Sequence, residues 1–151
     1  MAGKIAFNQV NLVVGDMKAS ADFYRLLGCE VDPVEADTKV PPFHLKCGLK
    51  NDDFDFDLDT ENFSQVWNAS WKGRDDLAGK VVLGFYVETR ARVDEIYADL
   101  TRAGYRALMP VHDAFWGARY AIIEDPNGVA VGIMSPSDPD KRRWPPEGWK
   151  E

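Results

Sequence analysis

From Asp53 to Asp59 the chain alternates without a break: Phe54, Phe56 and Leu58 fall on one side, and Asp53, Asp55, Asp57 and Asp59 on the other. A period of two predicts a β-strand with one apolar and one polar face. Residues 5–14, 29–34 and 43–49 read as strands ahead of it. Residues 80–87, 105–111, 118–123 and 129–134 read as strands behind it. In two places the spacing changes to three and four. Phe23, Tyr24 and Leu27 share a face of a helix over 17–27, which Asp16 can cap and Gly28 can stop. Val93, Ile96, Tyr97, Leu100 and Ala103 share a face of a second helix over 90–103, ended by Gly104. Between the last two strands, Asp125-Pro126-Asn127-Gly128 reads as a hairpin turn: Pro presets one angle, and Asn-Gly tolerates positive φ.

The order is β-α-β-β-β, twice. The first copy covers 4–60 and the second 80–134. Residues 61–79 form a linker holding Phe63, Trp67 and Trp71, with a short helix at 63–68. A proline-rich tail, 135–151, has Trp144 and Trp149 to bury. Repetition of a whole supersecondary unit constrains architecture more than any single motif. The expected fold class is α+β: one domain of paired βαβββ modules whose curved mixed sheets enclose a cavity.

Composition narrows the function classes. No apolar run approaches the roughly 20 residues of a membrane span. The net charge of −7, with one basic cluster at Lys141-Arg142-Arg143, opposes nucleic-acid binding, which needs a basic stripe. The two cysteines, Cys29 and Cys47, lie at apolar strand positions and read as buried free thiols of a reducing compartment. The N-terminus shows no secretory h-region, and the expected location is the cytoplasm.

Candidate chemistry is sparse. No dinucleotide or phosphate-loop pattern and no serine-nucleophile signature occurs. His44 and His112 are isolated and read as surface or packing residues, and no Cys-x-x-Cys pair supports zinc. Asp55 and Asp57 share a strand face. Alternation alone explains them as a solvated face; lining a cavity, they would attract a cation. Trp67, Trp71 and Trp116 are the aromatic surfaces expected to stack on a flat ligand. Arg119 either orients an anionic group or pairs with Glu124 or Asp125.

The run Val13-Val14-Gly15-Asp16-Met17-Lys18-Ala19-Ser20-Ala21-Asp22-Phe23-Tyr24-Arg25-Leu26-Leu27-Gly28 resembles the opening signature of the vicinal oxygen chelate superfamily. Trp116-Gly117-Ala118-Arg119-Tyr120, followed by Glu124-Asp125-Pro126-Asn127-Gly128, resembles its closing signature. That superfamily includes glyoxalase I, extradiol dioxygenases, fosfomycin-resistance enzymes and bleomycin-resistance proteins. Its enzymes hold a divalent metal at four strand positions. By this resemblance the first position falls on Gln9, the second on Asp55 or Asp57, the third on Val82 and the fourth on Gly132. Valine and glycine carry no donor, so the remaining oxygens are too few for a metal shell.

The resemblance therefore implies a metal-free binding protein of the bleomycin-resistance kind, with no catalytic residue and no cofactor. It would sequester a small planar or cationic ligand, such as an antibiotic, at Gln9, Asp55, Asp57, Trp67, Trp71, Trp116 and Arg119. A homodimer is implied by the same analogy, with neither nucleic acid nor membrane as partner. The alternatives are a divalent-metal lyase or dioxygenase with ligands elsewhere, and a non-catalytic relic with a structural or regulatory role.

Overall fold

The computed structural model describes residues 9–34, 42–48, 54–68 and 81–144, the side chains of 65–67 excepted. The chain divides into two compact units, Met1–Asp75 and Asp76–Glu151. In the first, β1 (Gln9–Val14), α1 (Met17–Leu27), β2 (Glu30–Val31), β3 (His44–Gly48), β4 (Asp55–Thr60) and α2 (Glu61–Trp67) follow in order. In the second, β5 (Val82–Tyr86), α3 (Arg90–Arg102), β6 (Ala107–Asp113), β7 (Arg119–Glu124) and β8 (Ala130–Met134) repeat that order, followed by a 3-10 turn at Pro139–Lys141. The sheets run β1-β4-β3-β2 and β5-β8-β7-β6. In each, first and last strands are parallel and the other pairs antiparallel. The strands are ordered identically, so the repeat read in the sequence is a repeat of topology. The fold is α+β with two mixed sheets.

Helix α1 forms where the sequence supplies both a cap and an apolar stripe. The Asp16 carboxylate accepts the Ala19 amide at 2.9 Å, and Gly28 closes the helix at φ 118°. Met17, Ala21, Phe23, Tyr24 and Leu27 are buried, and the Tyr24 ring meets the Phe56 ring edge-on at 5.0 Å. The larger of these, Met17, Phe23 and Leu27, each contribute about 1.5–3 kcal/mol through burial. In the second unit Thr89 caps α3 through the Arg92 amide at 3.1 Å, and Val93, Ile96 and Leu100 are buried. Tyr97 is only half-buried and Ala103 is exposed, so the apolar stripe is narrower than the spacing predicts.

Several local details differ from expectation. The strand expected over 29–34 contracts to Glu30–Val31. The Cys29 amide donates to Tyr24 O in the last turn of α1, and the Arg25 guanidinium takes the Val31 and Asp32 carbonyls. These groups are thereby withdrawn from the ladder. The short helix begins at Glu61, because the Thr60 hydroxyl accepts the Phe63 amide at 3.3 Å. In the hairpin, positive φ belongs to Gly128 alone. Its organiser is the buried Asp125 carboxylate, which accepts the amides of Asn127 and Val129, each at 2.8 Å.

The tail is strapped along residues 115–119. The Ser135 amide donates to Arg119 O, the Asp138 amide to Gly117 O and the Arg143 amide to Phe115 O. Gly117, at φ 95°, fits because a Cβ there would collide with the Asp138 carbonyl. Trp144 approaches Phe115 at 5.6 Å yet stays 71% exposed, so it does not bury as expected. Trp149 lies outside the described residues. None of the described helices is long and apolar enough to cross a membrane.

Both cysteines are buried free thiols, and burial pushes each up to about 12. Alkylation needs the thiolate, and at pH 8 a thiol with that pKa is ionised in about one molecule in ten thousand. Iodoacetamide at pH 8 should therefore leave the native protein unmodified and add two groups after denaturation, as read by intact mass. Rapid native labelling of either cysteine would contradict this packing.

Candidate functional site

On β4, Phe56 and Leu58 are buried, with Phe56 against α1. The pleat therefore turns Asp55, Asp57 and Asp59 to the opposite face. The parallel register sets Gln9 beside Asp55 and Asn11 beside Asp57. The antiparallel register sets His44 opposite Asp59 and Lys46 opposite Asp57. A cavity of about 350 Å³ opens on this face, lined by Gln9, Asn11, Phe43, His44, Asp57, Asp59 and Phe63. Phe63 reaches it from α2, its ring 4.8 Å from Phe43 and 5.9 Å from the His44 imidazole.

The three carboxylates differ in how they are compensated. Asp59 is 0% exposed and fully engaged: Oδ2 accepts the Asn11 amide at 2.8 Å, and Oδ1 meets His44 Nδ1 at 2.6 Å. This contact orients the imidazole so that its other nitrogen is the one left for further bonding. Asp55 is half-exposed and pairs with the Lys46 ammonium at 2.9 Å. Asp57 is 3% exposed, and its hydrogen-bond partner among the described residues is neutral, the Gln9 amide on Oδ2 at 3.1 Å. Its Oδ1 is buried with no hydrogen bond among the described residues. Leaving a buried acceptor unpaired costs about 1–3 kcal/mol, more for a charged group.

Lys46 does not remove this deficit. It stands directly across from Asp57 in register, yet its ammonium reaches diagonally to Asp55. The Asp55 hydrogen bond is the main cause that raises the Lys46 pKa; Asp57 is the least of the contributors.

The acidic face is thus a cavity wall at Asp57 and Asp59, and the solvated strand face expected from alternation is corrected there. The cause is position in the sheet. β1 and β3 flank β4 on both sides, and Phe43 and Phe63 stand over its C-terminal end. Of the other expected site residues, Gln9 lines the cavity with Asp57, whereas Asp55 lies on the same face outside the lining. Trp116 and Arg119 belong to the second unit. Trp71 and the side chain of Trp67 lie outside the described residues.

Arg119 pairs with neither Glu124 nor Asp125, as the sequence had suggested. It binds Asp94 of α3 at 2.6 Å and Asp113 of β6 at 3.1 Å, and Arg90 shares Asp113. The Asp94 hydrogen bond leads in raising the Arg119 pKa further. Arg119 ties β7 to its helix and to its neighbouring strand.

Sequence reasoning missed Asn11, Phe43, His44, Asp59 and Phe63. Asn11 and Asp59 carried a signal, since each lies two residues from a candidate on the same strand face. His44 carried none until the β3–β4 pairing was known.

The second unit presents the same frame with different side chains. If Gln9 and Val82 begin equivalent strands, register makes Gly84 the counterpart of Asn11 and Gly132 that of Asp57. Val82 is 52% exposed hydrocarbon. A Cβ on Gly132 would lie 2.6 Å from the Tyr120 hydroxyl, so the tyrosine fills the space a ligating side chain would need. Burial raises the pKa of Tyr120 and keeps it a neutral phenol. The Tyr120 ring packs 5.2 Å from Trp116, whose Nε1 donates to Met134 Sδ at 3.2 Å. A divalent metal at the four superfamily positions does not fit this donor set. Among the described residues no cluster of three His, Cys, Asp or Glu could hold one elsewhere.

The chain belongs to the Glyoxalase/Bleomycin resistance protein/Dioxygenase superfamily, whose family model matches residues 6–133. Solved structures agree on the fold. Hypothetical protein SA1046 from S. aureus shares 21% identity at TM-score 0.69, covering 89% of this chain and 96% of that one. TnmS3, an antibiotic binding protein from Streptomyces sp. CB03234, shares 19% at TM-score 0.58, covering 91% and 100%. Lactoylglutathione lyase from Agrobacterium tumefaciens shares 20% at TM-score 0.59, covering 89% and 96%. No curated protein matches the chain.

The substitution Gly132→Ala tests how Tyr120 closes the fourth position. Overpacking costs about 1–3 kcal/mol. The variant should lose about that much stability in urea and show an altered near-UV circular dichroism signal from the displaced Tyr120–Trp116 pair. Unchanged stability and spectrum would mean the space is not filled.

Proposed function

We propose that this chain is a metal-independent small-molecule-binding protein of its superfamily, holding its ligand in the cavity of the first unit without breaking a bond. The observation that carries the proposal is the donor set. The wall that could bind is in the first unit, while Val82 and Gly132 supply no metal-binding atom. A cavity of about 350 Å³ lies within the range of small-molecule sites. Phe43 and Phe63 offer ring surface to a flat compound, and Gln9, Asn11 and His44 offer polar contacts. The likeness to TnmS3, an antibiotic binding protein, supports sequestration of an antibiotic as the biological role.

The His44–Asp59 contact favours a second reading, a metal-free proton-transfer enzyme with His44 as base. Electrostatics weighs against it. A general base contributes about 10²–10⁴-fold, or about 3–5 kcal/mol. An anion forming about 4 Å from a carboxylate is opposed by about 4 kcal/mol at an effective dielectric near 20. Asp57 and Asp59 would cancel most of what the base supplies.

Thermal melting tests the metal question, because a ligand bound only by the folded state raises Tm by mass action. Chelator, Mn²⁺, Ni²⁺, Zn²⁺ and Fe²⁺ should each leave Tm unchanged. A saturable rise with one metal, abolished in Asp57→Asn, would overturn metal independence.

Homodimerisation is the second part of the proposal. In the second unit Val82 and Tyr86 remain 52% and 74% exposed on an apolar face, a surface with hydrocarbon to bury. Sedimentation should give twice the 17.0 kDa chain mass, and Tyr86→Glu should shift it toward the monomer. A wild-type monomer at high concentration would sink this part.

A further inference from the structure

We propose that the cavity of the first unit recognises a protonated amine, whose N–H donates to Oδ1 of Asp57. The inference rests on that cavity being the ligand site and adds the chemical class of the group it selects. Among the β4 carboxylates, Asp55 has a lysine and Asp59 has two donors. Among the described residues Asp57 has the buried oxygen with no hydrogen bond, on a side chain 3% exposed and lining the cavity. A buried carboxylate oxygen requires a hydrogen-bond donor, and a cationic donor also compensates its charge.

The surroundings select further. Phe43 and Phe63 line the same cavity, and aromatic rings attract cations and tolerate the hydrocarbon next to an ammonium. Gln9 and Asn11 already direct amide hydrogens to Asp57 and Asp59. Among the described residues no lysine or arginine lines the cavity, so there an anionic group would meet two carboxylates and no cation. A neutral alcohol of the same shape could donate one hydrogen bond but would leave the charge uncompensated.

The full-length chain is titrated with 2-phenylethylammonium and with 2-phenylethanol, and amide shifts are followed by NMR at pH 7.5. The ammonium should move the amides of residues 9–11, 44–46 and 55–59 and bind at least tenfold more tightly than the alcohol. Asp57→Asn should lose at least tenfold of the ammonium affinity and change the alcohol affinity far less. Comparison of the two compounds on the wild type keeps the test valid even if the variant folds poorly. Equal affinity of alcohol and ammonium at these amides would overturn amine recognition while leaving the cavity as the ligand site. Absence of shifts there with either compound would overturn both. An ammonium affinity unchanged in a folded Asp57→Asn would remove Asp57 as the group that reads the charge.

Discussion

The placement of carboxylates on the inner strand of a sheet shapes everything else in the first unit. β4 lies between β1 and β3, so its polar face cannot turn to the edge. Phe56 and Leu58 hold the other face against the core, and a one-residue slip would bury the aspartates there instead. The apolar half of the alternation thus forces the acidic half into the cavity. Neighbouring strands then answer the charge one position at a time, with Asn11 and His44 for Asp59, Gln9 for Asp57 and Lys46 for Asp55.

Duplication lets one backbone carry two chemistries. His44 pairs across from Asp59 just as Tyr120 pairs across from Met134, and Asp57 stands where Gly132 stands. In the first unit the resulting wall is acidic and hydrogen-bonded. In the second it is aromatic and thioether, with Tyr120 leaning over the glycine. The repeat preserves strand order and helix packing because those depend on the buried residues: Phe56 and Leu58 on one side, Val131 and Ile133 on the other. The opposite face is free to diverge, since nothing in the core depends on it. Val82 and Gly132 therefore sit on the face away from the helices, where Gln9 and Asp57 form a polar site in the first unit.

The fold was legible because it is written in periods. Alternation along β4, the three-and-four spacing of α1 and α3, and the Asp16 and Gly28 caps are local signals with local causes. Motif spacing carried the resemblance, and the resemblance implied metal positions at Gln9, Val82 and Gly132. The choice between Asp55 and Asp57 was not, because both share one strand face. Only the lateral register, with Asn11 beside Asp57, separates them. His44 was illegible for the same reason: its role comes from a cross-strand neighbour 15 residues away. For Arg119 the sequence offered an anionic ligand group or the nearby Glu124 and Asp125; a long guanidinium reaches across elements, here to Asp94. Contacts along the chain can be read from sequence, whereas contacts across strands need the register.

Asp57 is also the physical ground for proposing binding over bond-making at this site. A buried, underpaired carboxylate destabilises the free protein, and that cost is relieved only when a donor arrives. If the donor is a stable cation, the relief appears as affinity. If it were a transition state, the relief would have to grow as the reaction advanced, and the developing charge would have to be positive. Proton abstraction beside a carbonyl develops negative charge and is opposed by the same carboxylate. A wall proposed to take a cation would thus oppose proton abstraction beside a carbonyl. Asp57 and the Tyr120-filled space over Gly132 point in the same direction from opposite units of the chain.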